Sequence, residues 1–113
     1  MRERLPASLE AMAIMRRVQA DGGFAAVLRR GDPDRGALTL ILRERGELRG
    51  ILERELGPDF DYRWALTRLD GETGSTRLDE FIARRARFDA DFWLIELDIA
   101  EPERFIAETT SSG

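Results

Sequence analysis

"FWLIELDI", residues 92–99, is the stretch on which the fold turns. Trp93, Ile95, Leu97 and Ile99 alternate with Leu94, Glu96 and Asp98. A period of two puts alternate side chains on opposite faces of a strand, so one face here is wholly apolar. The strand follows a stretch of helical pattern. It is therefore free of hairpin pairing to its sequence neighbour and can insert beside an earlier strand, in parallel.

Upstream, Leu78, Phe81, Ile82 and Arg85 fall at helical spacing, and Thr76 with Asp79 and Glu80 reads as an N-cap followed by first-turn acids. Residues 60–68, "FDYRWALTR", form a strand in which Tyr62, Trp64 and Leu66 alternate with Arg63, Ala65 and Thr67. In "ALTLILRE", residues 37–44, Leu38, Leu40 and Leu42 share one face and Thr39 and Ile41 the other, the mark of an interior strand. Arg45-Gly46 turns that strand into a partner, "ELRGILEREL", at residues 47–56. "GFAAVLRR", residues 23–30, is a further strand, and the turn "GDPDRG" after it reads as a hairpin tip. Residues 6–20 form the first helix, with Leu9, Met12, Ala13 and Val18 as its apolar stripe, widened by Ile14 and Met15. Glu101-Pro102-Glu103 opens a last short helix through Ile106.

The order α-β-β-β-β-α-β-α predicts an α+β protein: one domain over residues 1–107, with an antiparallel or mixed sheet of about five strands and helices packed on one face. Residues 108–113 read as a flexible C-terminal tail. A length of 113 residues fits one domain with one core. No apolar run approaches the ~20 residues that span a bilayer, and the basic start lacks the unbroken apolar core of a secretory signal. The expected location is cytoplasmic, with no membrane partner.

The missing residue types narrow the chemistry. The chain has no Cys, His, Lys or Asn, and all 18 basic residues are Arg. That removes the usual zinc sites, thiol nucleophiles, imidazole acid–base chemistry, Schiff bases and the phosphate-binding Walker lysine. Arginine stays protonated, so it binds and orients but does not shuttle protons. A net charge of −4 argues against nucleic acid as a partner, because phosphate binding draws on excess positive charge.

Two clusters stand out. Arg29, Arg30, Asp32, Asp34 and Arg35 crowd one turn, where guanidinium forks would grip an anionic ligand. The plainer account is that the aspartates neutralise the arginines and start the turn. Asp89, Asp91, Glu96 and Asp98 flank the last strand. Glu96 and Asp98 share a face and would chelate a divalent cation, although surface acids need no such role. The aromatics Tyr62, Trp64, Phe92 and Trp93 would make a base-stacking platform with Arg63 and Arg68, or simply fill a core. Arg84, Arg85 and Arg87 form a basic helical patch near Asp79 and Glu80.

Taken together, "LPASLEAMAIMRR", "GGFAAVLRRGDPDRGALTLILRE", "RFDADFWLIELD" and the late "ERF" resemble the small alphaproteobacterial domain-of-unknown-function family 1491 over nearly the whole chain. One departure is the first helix, which lacks the tryptophan that members often carry. The resemblance implies the fold and a bacterial cytosolic setting, and assigns no catalytic residue. The sequence therefore points to a non-catalytic binding or interaction module without a cofactor, acting through a homodimer or a protein partner. The alternatives are a carboxylate-based metal-dependent hydrolase or nuclease, and a binder of RNA or single-stranded nucleic acid.

Overall fold

A computed structural model describes residues 5–111. The order is α1 (Ala7–Ala20), β1 (Phe24–Arg29), β2 (Leu38–Glu44), β3 (Glu47–Leu56), β4 (Tyr62–Arg68), α2 (Gly74–Phe88), β5 (Trp93–Asp98) and α3 (Pro102–Ser111). The strands form one mixed five-stranded sheet ordered β1-β5-β2-β3-β4. The last strand inserts between the first two: β5 runs antiparallel to β1 and parallel to β2, with Leu40 level with Ile95. The sequence order and the mixed α+β class are both as expected.

Strand β2 sits in the middle, and its two apolar faces follow from that place. Leu38, Leu40 and Leu42 join Trp93, Ile95, Leu97 and Leu52 in a core under α1 and α3. Ile41 joins Ile51, Phe92 and Leu94 in a second core under Leu78 of α2. The helices thus cover both faces, not one. The β5 insertion requires this, because it leaves a central pair of strands apolar on both sides.

The elements start and stop for local reasons. Arg45 and Gly46 both have positive φ, 52° and 82°, the backbone of a two-residue hairpin turn whose twist matches the strands. Helix α2 begins at Gly74, two residues before the Thr76 expected to cap it. Helix α3 runs past Ile106 to Ser111, so residues 108–111 of the expected flexible tail are helical, and Thr109 is buried. The last two residues of the expected tail, 112–113, and the first four of the basic start lie outside the described residues.

Helix α1 corrects its expected stripe. Ala7, Ala11 and Val18 are buried, with Ile14 and Met15 packed beside them, whereas Leu9 and Met12 are exposed. The small side chains at positions 7 and 11 let the helix lie close on the sheet, which turns the bulkier Leu9 and Met12 outward.

Candidate functional site

Strand β5 lies between β1 and β2, so the charged segment after β1 is not a hairpin tip. It is a crossover spanning the start of β5, and its residues are held from three sides.

From below, Trp93 Nε1 donates to the Asp32 carbonyl at 2.7 Å, and the Asp32 N–H donates to the Asp91 carbonyl at 3.0 Å. Gly31 and Gly36 let the loop press onto β5. A Cβ on either would collide with the Asp91 carbonyl oxygen and come within 2.7 Å of the Trp93 ring. From the side, α1 leans on the loop: Ala7 N–H donates to the Asp34 carbonyl at 3.1 Å and Ser8 N–H to the Pro33 carbonyl at 2.8 Å. Those donors open a helix and have no partner within it, so the loop serves as the cap that Pro6 cannot supply. From within, Asp32 Oδ1 accepts the N–H groups of Asp34 at 2.9 Å and Arg35 at 2.8 Å. The Arg35 N–H first, then that of Asp34, holds the Asp32 carboxyl below the usual aspartate range.

The arginines divide. The Arg29 guanidinium lies 4.7 Å from the centre of the Phe92 ring and donates from Nη2 to the Ala90 carbonyl at 2.8 Å. Arg30 stands 5.4 Å over the Trp93 ring and remains exposed, as do Asp34 and Arg35. The five charged residues of the turn are thus brought together in space, with Arg29 and Asp32 engaged inward and the other three on the rim.

The acids of β5 are also engaged. Asp98 accepts the N–H groups of Arg45 at 2.9 Å and Gly46 at 2.8 Å, closing the β2–β3 turn from the neighbouring strand. Glu96 accepts from Arg43 Nε at 2.8 Å. Asp89 accepts the Asp91 N–H at 3.0 Å. Among the described residues, no group of three or more Asp and Glu side chains is placed to hold a metal ion.

The aromatics do not form one platform. Phe92 and Trp93 are buried on opposite faces of the sheet. Trp64 is half-buried with the Arg54 guanidinium 4.6 Å over it, and Tyr62 is exposed. In the basic patch of α2, Arg85 turns inward to pair with Glu53, while Arg84 and Arg87 are exposed.

Sequence reading missed the ion pairs that fasten each helix to the sheet. Arg54 of β3 pairs in a two-pronged contact with Glu10 of α1, both about four-fifths buried. Glu53, its neighbour on β3, points to the other face and pairs with Arg85 of α2. Arg68 of β4 grips Glu103 of α3 through bonds of 2.8 and 2.7 Å, and this guanidinium draws the Glu103 carboxyl below its ordinary range. Partners 44, 32 and 35 residues apart leave no periodic trace in a sequence.

Fold and loop together define a small mixed-sheet α+β domain in which Arg29, Asp32, Glu96 and Asp98 bond within the fold and which lacks an evident catalytic cluster among the described residues. The chain belongs to the family described as Protein of unknown function (DUF1491), whose model matches residues 5–107. It is similar to the crystal structure of a DUF1491 family protein from Caulobacter crescentus, with 28% identity and a TM-score of 0.72 over 86% of this chain and 90% of that one. An NMR structure of a DUF1491 family protein from the same organism gives 29% identity and 0.72 over 87% and 88%. Protein Atu0922 from A. tumefaciens gives 28% identity and 0.63 over 85% and 86%. No curated protein matches the chain.

Proposed function

We propose that this chain is a non-catalytic interaction module of the bacterial cytosol. One observation carries the reading: large apolar side chains stand in solvent at both ends of the sheet while the acids best placed for chemistry are engaged. At the edge strand β1, Phe24 and Leu28 are more than half exposed. At the β3–β4 turn, Leu56, Phe60 and Tyr62 are likewise exposed. Exposed apolar groups that gather, rather than scatter, mark contact surfaces. In this reading Arg30, Asp34 and Arg35 form a polar rim able to meet an anionic group of a partner. No helix among the described residues is long and apolar enough to cross a membrane.

A hydrolase working through Glu96 and Asp98 would first have to break the Arg43 contact and open the Arg45-Gly46 turn. The test follows from that competition. Pure protein with Mg²⁺ or Mn²⁺ is assayed against nucleic acids and phosphoesters, beside Glu96→Gln. The expected result is equal, background rates. A turnover that disappears in Glu96→Gln overturns the proposal.

A further inference from the structure

The sheet has two edges, and they are guarded differently. Each edge strand has a helix packed on one face, α3 on β4 and α1 on β1, but β4 also carries Arg63 and Arg68, each in an ion pair. Edge strand β1 reads Phe24-Ala25-Ala26-Val27-Leu28 before its terminal Arg29, with neither charge nor proline along that run. Among the described residues its one strand neighbour is β5, which leaves a row of outward N–H and C=O groups along its other side. A bulge between Val27 and Arg29 leaves the Leu28 side chain 52% exposed, and Phe24 at the other end is 58% exposed.

We propose that β1 pairs with β1 of a second copy of this chain, antiparallel about a two-fold axis at Ala26, joining two sheets into one. This rests on the interaction-module reading and names its partner. Two observations select a second copy. With Ala26 facing Ala26, Phe24 of each copy meets the bulge at Leu28 of the other, so the exposed apolar groups cover one another. The flanks of the strand also carry opposite charges: exposed Asp21 stands three residues before it and exposed Arg30 follows it, while Arg29 is turned inward to Ala90 and Phe92. Antiparallel pairing sets Asp21 of each copy beside the arginine end of the other, twice over. Parallel pairing would set arginines against arginines. The edge is self-complementary in this one arrangement, which is the condition for a two-fold interface.

Sedimentation equilibrium at about 100 μM, where a micromolar dissociation constant leaves the dimer dominant, gives the first readout. The expected mass is twice the 12.9 kDa of the chain. Asp21→Arg and Arg30→Glu, each alone, place like charges at both ends of the pairing and raise the dissociation constant about tenfold. An equimolar mixture of the two variants restores association, because each then supplies the charge the other lacks. That rescue also shows that both variants are folded. Ala26→Lys, which brings two ammonium groups together on the axis, gives a monomer. A monomeric wild type overturns the pairing, as does a dimer indifferent to all three substitutions. Either result leaves the interaction reading to stand or fall on the hydrolysis assay.

Discussion

Two turns in this molecule look alike in sequence and behave in opposite ways. "RGDPDRG" (30–36) and "GPDFDYR" (57–63) share glycine, proline, paired aspartates and an arginine. The first is locked down by Trp93, by the first turn of α1 and by the Asp91 carbonyl. The second projects from the β3–β4 hairpin, with Phe60 at a φ of 64° and 81% exposed. The difference lies beneath them. Strand β5 starts under the first loop and supplies a floor of aromatic rings and carbonyls, whereas the second is tied by bonds among its own residues, Gly57 to Asp61, Phe60 to Gly57 and Arg63 to Asp59. Turn composition thus reports a change of direction, and the element below decides whether the turn becomes architecture or surface.

The contrast can be broken most forcefully at the buried glycines of the first loop. Gly36→Ala should cost ~3 kcal/mol, because its methyl meets backbone and the Trp93 ring rather than a yielding side-chain end. An alanine at exposed Pro58 in the second turn should change the denaturation midpoint little. Trp93→Phe comes next, at roughly 2 kcal/mol, from the lost bond to Asp32 and the smaller ring. Urea unfolding measures both, and equal losses in the two turns would refute the comparison.

A finer distinction concerns the aspartates. The Asp59 carboxyl, like that of Asp32, is held below its ordinary range, but the leading cause differs: the Arg63 guanidinium for Asp59, the Arg35 backbone N–H for Asp32. Both are lowered in the folded state, so each contributes stability at neutral pH that is lost as pH falls through the folded-state value. The melting-temperature gap between wild type and Asp32→Ala, or Asp59→Ala, should narrow in acid. Molar salt should shrink the Asp59 gap and leave that of Asp32 largely intact, since screening acts on the exposed ion pair. A matching salt response would remove the distinction.

Two small effects complete the series, both expected to stabilise. Thr39 lies fully buried in β2, with its hydroxyl oxygen unpartnered. Thr39→Val should raise stability by ~1 kcal/mol, since the shape is kept and the polar atom removed. At the projecting turn, Phe60→Gly should gain about 0.5 kcal/mol by relieving the left-handed backbone. Thermal melts resolve both, and a loss at position 60 would show that the exposed ring is held by contacts of its own.

Much of the fold was legible in the chain because burial writes a period. Leu38, Leu40 and Leu42 against Thr39 and Ile41 announced a central strand, and Trp93, Ile95 and Leu97 announced β5. Absent residue types set the available chemistry by themselves. What periodicity does not carry is the identity of a neighbour. Alternation does not say that β5 descends between β1 and β2, and the fate of the charged loop hangs on that descent. On α1, pattern alone favoured Leu9 and Met12, whereas close approach to the sheet selected Ala7 and Ala11. The Glu10–Arg54 and Glu53–Arg85 pairs arise only once β3 stands between two helices. Local alternation fixes which faces avoid water; long-range burial decides which of those faces meet, and only that meeting turns a charge into a contact.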